Sequence, residues 1–193
     1  MQALHKWNGI RLEIAEYCRD NQIREEDFRF LSIYDWKNVY EKVLERFVDH
    51  QYGRKNGLYW SNINGGFRND IQRVYCFQEG ANNHLCYEWI EKLPEIVNCE
   101  KVYLLLEQDR IKYWIAECKP AIVSLIINEA IGYTDYYITD KKFNWLITEN
   151  HHDIVQFLGE GLNVEQIEKA CTYTKKYTYN CSNASFFGSR SVV

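Results

Sequence analysis

Five consecutive residues, Glu149-Asn150-His151-His152-Asp153, are the densest grouping of chemistry-bearing side chains in the chain. Imidazole and carboxylate are both zinc ligands, so a metal site is one reading. Strand geometry opposes it. Neighbouring side chains point to opposite faces, so His151 and His152 cannot share one ion unless the chain turns between them. His151 and Asp153 could, given a third ligand from elsewhere. Acid–base work is a second reading, because a histidine beside Glu149 or Asp153 can titrate near neutrality. No nucleophile elbow, P-loop or dinucleotide fingerprint accompanies the cluster. The bland reading is a turn, in which Asn150 and Asp153 hydrogen-bond their own backbone and a histidine ring braces a neighbouring loop. That reading takes precedence here, so the expectation is no catalytic residue, no metal and no cofactor.

The elements that would position this cluster are legible on either side of it. Tyr136-Tyr137-Ile138-Thr139 and Trp145-Leu146-Ile147-Thr148 are β-branched and aromatic runs around a polar gap, Asp140-Lys141-Lys142, and predict a hairpin. Period-two alternation then places Tyr136 and Ile138 on one face and Tyr137 and Thr139 on the other. Ile154 to Leu158 reads as a third strand, or as one helical turn, closed by Gly159 and Gly161.

Upstream, Lys101 to Leu106 and Ile111 to Ala116 predict two strands joined by Glu107-Gln108-Asp109-Arg110. Pro120 opens a helix reaching about Ile131, apolar nearly all round and so expected deep in the fold. Amphipathic helices are predicted over 4–20 and 35–50, the second capped by Asp35 or Ser32. Phe28 to Ile33 reads as an apolar connector. Leu58-Tyr59-Trp60 is short and β-like, and Val74 to Phe77 weakly so. A helix from Asn82 or Asn83 should end or bend before Pro94. Asn163 can cap a last helix over 164–174. The fold class is therefore α+β: a single domain over 1–179, with an antiparallel sheet of about four to six strands packed against helices. Residues 180–193 read as a polar tail, mobile or vector-derived.

Composition narrows the class. An apolar share of 46% over 193 residues supports a real core. The net charge of −4 argues against a nucleic-acid partner. No apolar run approaches the roughly 20 residues of a membrane span. Seven cysteines without a C-x-x-C pair, and an N-terminus without an apolar signal segment, predict free thiols and a cytoplasmic location. Fifteen tyrosines and six tryptophans serve cores and interfaces alike. Trp60, Trp114, Trp145, Tyr113, Tyr136 and Tyr137 could line one exposed sheet face, with the core as the more common home for such residues.

The run D-Y-Y-I-T-D-K-K-F-N-W-L-I-T-E-N-H-H-D, residues 135–153, resembles a family of uncharacterised small bacterial proteins that carry a similar run near the C-terminus. The resemblance extends over about 103–161. Proteins of this look resemble immunity proteins of bacterial toxin systems. The resemblance implies a non-enzymatic binder that occludes a toxin, with acidic groups meeting a basic active site. Glu25, Glu26, Asp27, Glu107 and Asp109 are candidates for that surface. The partner-binding set expected is Glu149, Asn150, His151, His152, Asp153, Tyr136, Glu107 and Asp109. Two rival readings stand: a small metal- or histidine-dependent hydrolase built on 149–153, and a self-associating structural protein, since a homo-oligomer is compatible with the chain.

Overall fold

Strands rich in apolar residues on both faces need a cover on both faces, and this governs the architecture. The computed structural model describes residues 9–48, 57–59, 62–63, 71–76, 86–108, 112–130, 132–151, 154–171 and 175–177, with the backbone alone for 71–76, 86–88 and 175–177. Among these, in chain order, lie α1 (Gly9–Asp20), β1 (Phe28–Phe30), α2 (Trp36–Phe47), β2 (Ile71–Cys76) and a 3-10 helix (Cys86–Lys92). α3 (Leu93–Ile96), β3 (Val102–Gln108), β4 (Lys112–Cys118) and α4 (Pro120–Glu129) follow. β5 (Tyr136–Asp140), β6 (Trp145–Glu149), β7 (Ile154–Gly159), α5 (Val164–Ala170) and β8 (Lys175–Tyr177) complete the set.

The strands form one sheet in the order β1-β4-β3-β5-β6-β7-β2-β8, and every pairing is antiparallel. The α+β class expected from the sequence holds. Six strands are five to seven residues long, and two three-residue strands, β1 and β8, extend the sheet at its edges. No helix among the described residues is long and apolar enough to cross a membrane.

Alternation sorts the strand residues into two cores. Leu104, Leu106, Ala116, Ile138, Ile147 and Phe157 face a layer made by α1, the 3-10 helix, α3, α4 and α5. Leu105, Ile115, Tyr137, Leu146 and Leu158 face α2, which contributes Val39, Val43, Leu44 and Phe47, together with Leu58 and Ile63. β5 and β6 are buried at every position. Each fully buried Leu or Ile contributes roughly 1.5–3 kcal/mol by leaving water, so the two-sided cover is the main source of stability.

Several expectations change in detail. The helix ahead of Pro94 ends at Lys92, as expected, but Leu93 is already helical again and Pro94 opens a new element rather than closing the old one. It sits in the first turn of α3, where its missing N–H costs nothing, directly after the 3-10 helix. α4 is not buried all round: Val123, Ile126 and Ile127 face the core, while Leu125 is 42% exposed. Phe28-Arg29-Phe30 is a strand rather than a connector. Residues 57–59 form no strand. The Asp35 side chain makes no cap bond to a helix N–H, because it accepts the Ser32 hydroxyl at 2.6 Å instead. Asn163 does cap α5, its Oδ1 accepting from the Gln166 N–H. Cys18, Cys99, Cys118 and Cys171 are free thiols. Trp7, Trp60, Cys181 and the tail from 180 lie outside the described residues, as do the side chains of Cys76 and Cys86.

Candidate functional site

Glu149 ends β6, and Asn150 and His151 begin the turn towards β7. Asn150 closes that turn, its N–H donating to the Ile154 C=O and its Oδ1 accepting from the Ile154 N–H at 3.1 Å. Asp135, buried just before β5, receives two bonds at one oxygen, from the His151 backbone N–H at 3.1 Å and from the ring Nδ1 at 2.9 Å. The ring itself reaches solvent, with its side chain 48% exposed. His152 and Asp153 lie outside the described residues. Among the described residues no group of three or more His, Cys, Asp or Glu side chains could hold a metal ion.

Glu149 and Glu107 do not lie on the surface. Glu149 is 5% exposed on the α4 face, where its Oε2 accepts from Trp89 Nε1 at 3.0 Å and from the Tyr136 hydroxyl. Glu107 is 2% exposed on the α2 face and accepts from the Tyr137 hydroxyl at 3.3 Å. Buried carboxylates of this kind need donors. The Tyr and Trp content supplies them, which is one reason the aromatic residues are here. Tyr113, Tyr136, Tyr137 and Trp145 belong to the cores, so they form no exposed aromatic sheet face. Trp114 alone of that set's described members is half-buried at an edge. Trp60 and Asp109 lie outside the described residues.

Of the other acidic candidates, Asp27 is engaged by Lys119 at 2.6 Å and by Arg24 at 3.0 Å, and those hydrogen bonds hold its carboxyl below the usual range. Glu26 pairs with Arg24. Glu25 is exposed.

A different region is shaped to meet something. Beyond β1 the chain makes a tight turn, Ser32 to Asp35. Ser32 Oγ accepts from the Tyr34 N–H and donates to Asp35, and the Ser32 C=O accepts from the Asp35 and Trp36 N–H groups. This bracing holds Ile33 at 71% and Tyr34 at 84% exposure, with Trp36 at 37%. Large apolar side chains fixed outward on a hydrogen-bonded turn are the informative kind of exposure.

The turn forms one wall of a cleft of about 260 Å³. Arg11 of α1 and Lys112 of β4 stand on its other side, with Phe30 and Trp114 between. Both cations lie over the Trp114 ring, Lys112 Nζ at 4.0 Å and Arg11 Cζ at 5.8 Å from its centroid. None of the described lining residues is acidic. A row of rings runs inward from Trp36 through Tyr40 and Tyr113 to Tyr137 beside Glu107, with centroids 6.3, 4.9 and 6.2 Å apart. Burial, reinforced by the Glu107 charge, pushes the Tyr113 phenol well above its ordinary value. The ring row is a neutral, hydrogen-bonded buttress for the cleft.

Periodicity could not reveal this site, since Arg11, Ile33, Trp36 and Lys112 come from separate elements. The available signal was Ile33-Tyr34, two large apolar residues between the turn formers Ser32 and Asp35. The chain belongs to the family of unknown function DUF6756, whose pattern it matches over residues 6–170. A search of curated proteins and a search of solved structures found no match.

Proposed function

We propose that this chain is a non-enzymatic binding protein that holds a protein partner on the face formed by Ile33, Tyr34, Trp36 and the adjoining cleft. One observation carries the reading: Ile33 and Tyr34 are 71% and 84% exposed on a turn whose hydrogen bonds fix them there. Displaying such side chains to water costs solubility and contributes nothing to this chain's own core. Aromatic anchors with a neighbouring arginine are the usual composition of interface hot spots. The cleft, at about 260 Å³, falls below the roughly 300–1,000 Å³ of sites that enclose a whole small molecule. It suits one or two side chains of a larger partner.

The resemblance to toxin-immunity proteins gives this binding a purpose, occlusion of a toxin. The electrostatics differ from those first expected. Glu107 and Glu149 serve the interior, and the cleft offers cations, so the complementary surface on the partner is acidic and apolar.

Photocrosslinking tests the reading. A benzophenone amino acid replaces Tyr34 in one variant and Lys37, exposed one residue beyond Trp36, in another, each expressed in the cells that make the protein. A discrete protein adduct at position 34 is expected. No adduct at position 34, with or without one at 37, overturns the reading.

A further inference from the structure

β4 has seven residues, and β3 pairs with all of them, from Cys118 to Lys112. On its other side β1 pairs with only three, Cys118, Glu117 and Ala116. One further bond, from the Leu31 N–H to the Ile115 C=O at 2.8 Å, ends the ladder. There the Ser32 turn takes the chain away into α2. Antiparallel ladders alternate, so residues 117, 115 and 113 aim their backbone groups toward the β1 side. The Ile115 N–H and both backbone groups of Tyr113 therefore face a lane in which no strand lies, and no partner meets them among the described residues. That lane is the cleft, which Tyr113, Ile115 and Leu31 line. Among the described residues, half of this edge of β4 carries no neighbouring strand and lies beside exposed apolar groups. Sheet proteins ordinarily blunt such an edge, because it is a template for another chain.

Resting on the binding reading above, we infer that this open half-edge accepts an extended acidic segment of the partner by strand addition. Main-chain bonds at Tyr113 and Ile115 supply register, and alternate side chains supply choice. Two features of the cleft select the segment. Its apolar side chains meet Ile33 and Trp36 on one wall and Trp114 on the other. Its carboxylates meet Arg11, which makes no ion pair among the described residues, and Lys112. A basic segment would meet like charge at Arg11 and Lys112, although the chain as a whole carries −4.

The test uses the full chain and a phage-displayed library of random linear decapeptides. The expected selection is enriched in Asp and Glu alternating with apolar residues. A synthetic peptide of the selected sequence should shift the Tyr113 and Ile115 amide resonances and slow their hydrogen exchange. The double variant Arg11→Glu/Lys112→Glu, checked for an unchanged circular dichroism spectrum, should lose at least tenfold in affinity for that peptide. N-methylation of alternate peptide amides should abolish binding. Selection of basic peptides, no selection at all, or binding that leaves the Tyr113 and Ile115 amides unmoved would each overturn the inference. So would self-association of the chain that protects those amides as concentration rises. A position-34 crosslink together with any of these results leaves the binding reading standing and removes only the strand-addition mode.

Discussion

Tyr136 and Tyr137, consecutive on β5, project to opposite faces of the sheet, and each donates its hydroxyl to a different buried glutamate: Tyr136 to Glu149 and Tyr137 to Glu107. One dipeptide thereby satisfies two carboxylates that would otherwise be costly on either side of the same strand. Tyr136→Phe and Tyr137→Phe should each cost about 1–3 kcal/mol in urea unfolding, since each leaves a buried acceptor short of a donor. Double-mutant cycles resolve the wiring. Tyr136→Phe should couple to Glu149→Gln and add independently with Glu107→Gln, and the reverse should hold for Tyr137→Phe. Equal coupling in all four combinations would contradict the two-sided arrangement.

Gly159 ends β7 opposite Trp145 with φ +99°, a conformation that side chains rarely adopt. A Cβ built there would lie 2.2 Å from the Asn144 carbonyl oxygen and 2.7 Å from the Trp145 Cα. Both are backbone atoms, and the Asn144 carbonyl is itself bonded to the Glu160 N–H, so neither yields cheaply. Gly159→Ala should cost about 2–4 kcal/mol by denaturant midpoint. Gly161→Ala, also at positive φ but with open space around it, should cost less. A Gly159→Ala protein as stable as the parent would mean that β6 and β7 do not approach this closely.

Burial alone would raise the Glu117 carboxyl, but hydrogen bonds from Lys141 at 2.6 Å and Lys101 at 2.9 Å outweigh it and hold the group at about 2. In the unfolded chain it returns to an ordinary value near 4.5. The carboxylate therefore stabilises the fold fully above about pH 5, and the contribution fades as pH falls from there through 2. With the lysine ends partly in water, about 1–2 kcal/mol is expected. Glu117→Gln should be less stable than the parent by that amount at pH 6, most of the difference should be gone by pH 2.5, and the rest should fade below about pH 2. A difference that persists unchanged at pH 2.5 would assign the effect to packing rather than charge.

Much of the fold was legible because its elements announce themselves locally. Tyr136 to Thr139 and Trp145 to Thr148 alternate as a hairpin must, and Val39, Val43, Leu44 and Phe47 recur at helical spacing. The less legible parts depend on contacts between distant segments. Phe28-Arg29-Phe30 is too short to signal a strand, and becomes one because β4 offers a ladder. Glu107 and Glu149 read as surface charges, because the donors that permit their burial, Tyr137, Tyr136 and Trp89, sit on other elements. Of the cleft only the Ile33-Tyr34 wall left a local trace in the chain, since Arg11 and Lys112 lie about a hundred residues apart and meet over Trp114. Asn150 read correctly as a turn former, because its bond to Ile154 spans four residues.

The Asp135–His151 contact decides what the histidine cluster is for. One Asp135 oxygen holds both the backbone N–H and the ring of His151, and the carboxylate is buried while the ring is half in water. These two bonds differ in worth. The backbone N–H persists whatever side chain stands at 151, so His151→Ala keeps that bond while losing the partly solvated ring contact to Asp135, and should cost less than about 1 kcal/mol. Asp135→Ala removes the acceptor for both bonds and leaves a backbone donor at the β6–β7 turn to find water. It should cost about 1–3 kcal/mol and speed amide exchange at His151 and Ile154. The ordering, Asp135→Ala worse than His151→Ala, is the mark of a turn held by a carboxylate. A site that used the imidazole would behave otherwise. His151→Ala would then leave stability unchanged and remove zinc or a catalytic rate from the purified protein. Metal analysis alongside the two unfolding curves separates these outcomes.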